Sequence, residues 1–190
     1  MDHKNNKHGV GTLLTRDNSI YNGEFRRDRA SGVGQLVHSY GDIYVGDWKD
    51  DKAHGQGVYI HLGGARYEGQ WVMDKQHGFG VEYWPNGSKF EGHFVFGKKT
   101  GQGTFAWSDG NKYTGEFKQN IISGYGKYEW LDGRCYEGSW AEGKMDGYGI
   151  FKWPDGKFYE GDYKNDKKDG KGRFSWPDGR EYDGDWKNGV

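Results

Sequence analysis

Cysteine is almost missing from this chain. Cys135 stands alone, so no disulfide can join two of its segments, and a cytoplasmic setting is the default expectation. Proline occurs three times. Leu, Ile, Val and Phe together number 30 of 190 residues, a share that in a strongly charged chain signals disorder. No stretch approaches the roughly 20 apolar residues of a membrane-spanning helix, and the opening Met1–Asn6 lacks the apolar centre of a signal peptide. Charge of one sign is also lacking. The formal net charge of −1 gives no global pull toward nucleic acid or anionic lipid.

Aromatic residues and glycine stand in the place of aliphatics. The chain carries 9 Trp, 14 Tyr and 10 Phe, and each ring buries a large apolar area. Many of its 35 Gly are in register. A Gly-x-Gly pair recurs every 23 residues, at Gly9/Gly11, Gly32/Gly34, Gly55/Gly57, Gly78/Gly80, Gly101/Gly103, Gly124/Gly126, Gly147/Gly149 and Gly170/Gly172. An aromatic-x-Gly-x-aromatic motif keeps the same period, from Tyr21–Phe25 through Tyr136–Trp140 to Tyr182–Trp186. A fixed period without insertions predicts a stacked array.

Within one unit, Tyr136, Gly138 and Trp140 alternate on one face, as do Gly147, Gly149, Phe151 and Trp153. Period-two alternation predicts strands with rings and glycines on one side and a wettable surface on the other. Ala141–Asp146 reads as a six-residue hairpin loop, and Pro154-Asp155-Gly156 as the turn into the next unit. Each Trp or Phe is expected to cover a glycine across the ladder. The predicted fold is all-β: an elongated antiparallel meander of repeated β-hairpins, about sixteen short strands advancing about 10 Å per repeat. Residues 1–190 form a single array in this reading, beginning and ending inside a hairpin loop (His3–His8 and Lys187–Val190), as a segment of a longer array would.

The unit YxGxW…GxGxF/YxWPDG resembles the MORN (membrane occupation and recognition nexus) repeat, in eight in-register copies over residues 9–186. Departures are local. The fourth copy reads Gly80-Val81-Glu82-Tyr83-Trp84, and Thr15, His38 and His61 stand where later copies have Trp107, Trp130, Trp153 and Trp176. The resemblance implies a scaffold at the cytoskeleton or the cytoskeleton–membrane boundary, such as a protist cytoskeletal scaffold or a radial-spoke component. Kinase and methyltransferase domains, which accompany some arrays of this family, do not occur in this chain.

No site chemistry rises above this background. No helix start or Lys-Ser/Thr pair follows any Gly-x-Gly, so a phosphate loop is not expected. His8, His54 and His77 share one repeat position, but a repeat spacing of about 10 Å is too long for a shared metal. Neither metal nor cofactor is expected, and no catalytic residue is assigned. Glu68, Glu91, Glu137, Glu160 and Asp183, with Asp47, Glu116, Asp162 and Asp185 two positions along, read as a solvated acidic stripe.

Two surfaces remain as candidates. An aromatic groove is expected from Tyr67, Trp71, Phe94, Tyr113, Phe117, Tyr136, Trp140 and Trp153. An apolar loop-tip interface is expected from Val72, Met73, Val95, Phe96, Ile121 and Ile122. The function predicted is a non-enzymatic, cytoskeleton-associated scaffold that binds protein partners and itself, as a homodimer or higher homo-oligomer. The alternatives are a monomeric adaptor whose groove holds a partner peptide or helix, and a phospholipid-binding module using a basic loop edge (Lys4, Lys7, Arg26, Arg27, Arg29, Lys98, Lys99, Lys167, Lys168).

Overall fold

The structure is a computed structural model describing residues 6–190; Lys4 and the start of the segment from His3 lie outside the described residues. Sixteen strands and no helix occur among the described residues. They fall into two units, residues 1–98 and 99–190. The first holds β1 (Gly9–Leu14), β2 (Ile20–Arg26), β3 (Arg29–Val37), β4 (Ile43–Lys49), β5 (Lys52–Ile60), β6 (Arg66–Val72), β7 (Lys75–Tyr83) and β8 (Lys89–Val95). The second holds β9 (Lys98–Ala106), β10 (Lys112–Lys118), β11 (Ile121–Glu129), β12 (Cys135–Ala141), β13 (Lys144–Lys152), β14 (Phe158–Lys164), β15 (Lys167–Ser175) and β16 (Glu181–Trp186). Within each unit the strands pair antiparallel in chain order, as the period-two pattern predicts.

The hairpin tips are tighter than expected. β12 and β13 are joined by two residues, Glu142 (φ 49°) and Gly143 (φ 78°), and the segment read as the far half of a loop, Lys144–Asp146, is strand. Positive φ at both central residues defines the type I′ turn, which matches the strand twist and favours Asn, Asp or Gly. Asp28, Asp51, Asp74, Gly97, Asn120, Gly143 and Asp166 hold the second position. At the opposite edge Gly156 N–H donates to Trp153 O (3.1 Å) and Trp153 N–H to Lys157 O (3.0 Å), closing a three-residue loop with Pro154 pre-set for its first residue.

The two glycines of each Gly-x-Gly do different work. Between Gly138↔Gly149 and Trp140↔Met145 the register slips, so that three residues of β13 face Ser139 alone. Gly147 sits in this bulge at φ 99°, where a side chain would be strained. Gly149 lies under the Tyr136 ring: a Cβ there would stand 2.5 Å from Tyr136 Cε2. The ring covering the glycine is therefore the first aromatic of the motif, not its Trp or Phe as expected. Tyr136 Oη then donates to Ser139 O (3.0 Å), locking the ring flat over the strand.

Rings of this first position lie at the centre of the core. Tyr67, Phe90, Tyr113, Tyr136 and Tyr159 are fully buried, each contributing about 1.5–3 kcal/mol by burial. They meet the second aromatics edge to face in a continuous chain within each unit, as in Tyr44–Trp48 (5.1 Å), Tyr44–Trp71 (5.3 Å) and Tyr67–Trp71 (5.1 Å). In the fourth copy Tyr83 is displaced by one position and so falls on the opposite face, where Arg66 and Lys89 approach its ring at 4.9 and 5.7 Å.

Neighbouring hairpins are also stitched at their tips. Asp51 N–H donates to Ala30 O (3.0 Å) while Ala30 N–H donates to Asp51 Oδ1 (2.7 Å). The same exchange recurs at Asp28–Lys7, Asp74–Ala53, Asn120–Lys99 and Asp166–Met145.

Candidate functional site

The acidic stripe has a structural task. Asp47 Oδ2 accepts the N–H of bulge residue Gln56 (2.8 Å), Glu116 that of Tyr125 (3.2 Å) and Asp162 that of Lys171 (3.1 Å). Gln70, in the same position, accepts from Phe79 N–H (2.8 Å), so an amide serves as well as a carboxylate. In the other row Glu68 and Glu91 pair with Arg66 (2.8 Å) and Lys89 (2.7 Å), and Glu137 and Glu160 accept from the hydroxyls of Tyr125 and Tyr148.

Of the rings expected to line a groove, Tyr67, Trp71, Phe94, Tyr113, Phe117, Tyr136 and Trp140 are each at most 7 % exposed. The indole N–H groups of Trp71 and Trp140 are taken up by Gly57 O and Gly126 O, both at 3.1 Å. These rings are core. Trp153 differs: it is half-buried and belongs to a second set of rings near the wide-turn edge.

That second set runs unbroken through residues 99–190. Phe105 meets Trp107 (4.6 Å), Trp107 meets Tyr128 (5.3 Å), and Tyr128 meets Trp130 (4.5 Å). Trp130 meets Phe151 (5.2 Å), Phe151 meets Trp153 (4.3 Å), Trp153 meets Phe174 (5.6 Å), and Phe174 meets Trp176 (4.4 Å). Phe151 and Phe174 are buried, whereas all four Trp are half-exposed. Arg134, Lys157 and Arg180 lie over Trp130, Trp153 and Trp176 at 5.2, 5.5 and 5.4 Å, and are themselves paired with Asp132, Asp155 and Asp178. Lys168 Nζ is held among Phe174, Trp186, Tyr159 and Trp153 at 4.3–5.8 Å, and burial depresses its pKa.

Where the first unit lacks the Trp, a polar cluster replaces it. Asp42 accepts from Leu62 N–H (2.9 Å) and Tyr59 Oη (2.7 Å) and faces His61 Nδ1 (3.1 Å). The Leu62 N–H, followed by the Tyr59 hydroxyl, holds the Asp42 carboxyl below its ordinary value. His38 stacks on Tyr40 at 4.9 Å.

The apolar loop-tip residues divide differently than expected. Met73 and Phe96 occupy tips and are exposed, with Phe96 against His77 at 4.9 Å; Val72 and Val95 end their strands. Ile121 and Ile122 open β11 just past the tip Gln119-Asn120, so they are strand residues.

The MORN repeat family profile matches residues 21–41, 44–61, 67–89, 90–112, 113–133, 136–158, 159–179 and 182–190. No curated protein matches the chain. Among solved structures it is similar to the TCP domain of Sas-4 from Drosophila melanogaster in complex with a proline-rich motif of Ana2, at 7 % identity and a TM-score of 0.51, covering 92 % of this chain and 88 % of that one. It is also similar to the TCP10c domain of Drosophila melanogaster Sas-4, at 8 % identity and a TM-score of 0.47, covering 94 % of this chain and 99 % of that one.

Proposed function

The chain belongs to the MORN repeat family, and on that premise we propose that it is a non-enzymatic scaffold whose half-exposed ring run, Phe105 to Trp176, holds a segment of a partner protein. The observation that carries this reading is the division of the aromatics into two sets. One set is buried with its polar atoms satisfied; the other is larger than packing requires and is left accessible at one repeat spacing. Exposed apolar patches of this kind mark interaction sites, and rings already fixed by their neighbours lose little entropy on binding. A TCP domain of similar fold is found in complex with a proline-rich motif of another protein, a precedent for segment binding by such a fold. The same reading places the scaffold with the cytoskeleton and has it associate with itself through exposed tips such as Met73 and Phe96.

The test uses a substitution the fold already accepts, since His38 and His61 occupy the stripe position in earlier copies. Trp130→His and Trp153→His should abolish capture of cytoskeletal partners from extract while leaving the melting temperature nearly unchanged. Light scattering during size-exclusion chromatography reads self-association separately. Equal capture by wild type and the double variant overturns the assignment to the ring run.

A further inference from the structure

The ring run has a spacing, a set of donors and a charge state, and together these select one kind of occupant. Its spacing is set by the sheet. One repeat is two strands, so successive indoles lie about 9.6 Å apart, and the ring-to-ring steps of 5.3 and 4.5 Å through Tyr128 agree with that advance. Between each pair of indoles sits another ring: half-buried Tyr128 after Trp107, and buried Phe151 after Trp130 and Phe174 after Trp153. The result is three furrows, each bounded by two indoles with a phenyl or phenol ring between them.

A segment lying along this row must present one apolar group per furrow on a single side. A polyproline II helix does so every third residue, with a repeat of about 9.3 Å, within a few tenths of an ångström of the sheet advance. An extended strand covers about 10 Å in three residues, but its side chains alternate faces, so every second furrow is missed. An α-helix returns to the same face after seven residues and about 10.5 Å, drifting by about 3 Å from Trp107 to Trp176.

The donors point the same way. In the core, Trp48, Trp71, Trp140 and Trp186 each spend their N–H on a glycine carbonyl at 2.9–3.1 Å. The N–H groups of Trp107, Trp130, Trp153 and Trp176 make no hydrogen bond among the described residues, and none belongs to the buried unpartnered atoms. Four accessible donors in a row call for a ligand whose carbonyls are free. A polyproline II backbone has no internal hydrogen bonds, and proline adds no N–H of its own needing a partner. The cations over the indoles, Arg134, Lys157 and Arg180, are already paired with Asp132, Asp155 and Asp178, and Lys168 lies against the rings Phe174 and Trp186 at 4.3 and 4.4 Å, so the row makes no strong demand for a charged segment.

We infer that the furrows between Trp107, Trp130, Trp153 and Trp176 bind an uncharged, proline-rich segment of a partner protein as a polyproline II helix, with proline at every third position and carbonyls accepting from the indole N–H groups. This inference rests on the partner-segment reading of the ring run and names its ligand class.

Calorimetric titration of the full chain tests it, using a peptide of about twelve residues with proline at every third position. A composition-matched peptide with its prolines clustered and an amphipathic helical peptide serve as comparisons. The spaced peptide should bind saturably, at least about tenfold tighter than either, a gap of about 1.4 kcal/mol. Trp130→Phe with Trp153→Phe keeps the rings and removes two donors, and should weaken that peptide about tenfold or more with the melting temperature unchanged. No binding of the spaced peptide, tighter binding of the helical one, or an unchanged affinity in the Phe variant overturns the inference. The partner-segment reading fails separately, by undiminished partner capture in the His variants.

Discussion

Gly149→Ala inserts one methyl group where the Tyr136 ring lies. Its Cβ would stand 2.5 Å from both Cε2 and Cζ of that ring, whereas ordinary contact begins at 3.4 Å. The ring has nowhere to retreat: Tyr136 is fully buried, meets Trp140 at 5.1 Å and Tyr163 at 5.2 Å, and its hydroxyl holds Ser139 O. Overpacking costs about 1–3 kcal/mol, and loss of the hydroxyl bond adds about 1 kcal/mol. Relief of glycine's excess chain entropy returns about 0.4–1 kcal/mol. Gly149 has no positive φ, so backbone strain adds nothing. The expected loss is therefore about 1–4 kcal/mol, or about 2–16 °C for a chain of this size. Thermal unfolding by near-UV dichroism measures it, with Thr114→Val on the exposed face as a reference that should stay within about 0.5 kcal/mol. Adding Tyr136→Phe should recover part of the loss, since Phe90 fills the equivalent place unaided. If Gly149→Ala melts with Thr114→Val, the glycine–tyrosine packing does not hold the sheet together.

Gly138→Val should cost at least as much, because its Cβ meets Tyr136 Oη and Tyr148 O at 2.7 Å; differential scanning calorimetry ranks the two variants. Asp47→Ala should lose about 1 kcal/mol and speed exchange of the Gln56 amide, while Asp47→Asn should change neither, since Gln70 already does this work uncharged. Burial pushes Tyr21, Tyr113 and Tyr159 up to about 12. Their unfolded forms ionise near 10, so this stability is full below pH 10 and lost as pH rises toward 12; phenolate absorbance should therefore appear together with unfolding. Asp51→Ala, which leaves the Ala30 N–H without its acceptor, should raise exchange at the tip of β2 and β3 ahead of the tyrosine row.

Strands, faces and family were legible because the 23-residue period repeats every error-correcting cue eight times. Tyr136, Gly138 and Trp140 share a buried face for the reason alternation gives. The tips were not legible. Asp50-Asp51 and Asn165-Asp166 read as charged loop, yet both are left-handed turn pairs, and the strand resumes at once. The bulge was hidden because a Gly-x-Gly looks like two equivalent glycines, while only the first needs positive φ and only the second lies under a ring. Rings on one face also looked like one surface. Alternation cannot say that Trp140 donates its N–H to Gly126 while Trp153 leaves its own accessible.

That distinction explains where the repeats are free to diverge. The core position accepts Trp48, Phe94, Phe117 or Tyr163, because any large ring completes the edge-to-face chain with its neighbours. The stripe position accepts Thr15, His38 and His61 in the first unit without loss of strand or turn, since the wide turn closes through backbone there as it does at Trp153: His61 N–H to Ala65 O at 2.8 Å, Trp153 N–H to Lys157 O at 3.0 Å. Strand and turn thus form without a Trp at this position, and Trp107, Trp130, Trp153 and Trp176 supply the indoles on which the proposed ring-run site depends. Conversely, the Asp42–Tyr59–His61 cluster fills the same place in the first unit with groups that satisfy one another. The Trp before the wide turn is thus replaced by Thr15, His38 and His61 in the first three copies, while the four indoles of the proposed ring run, Trp107 to Trp176, lie in the second unit.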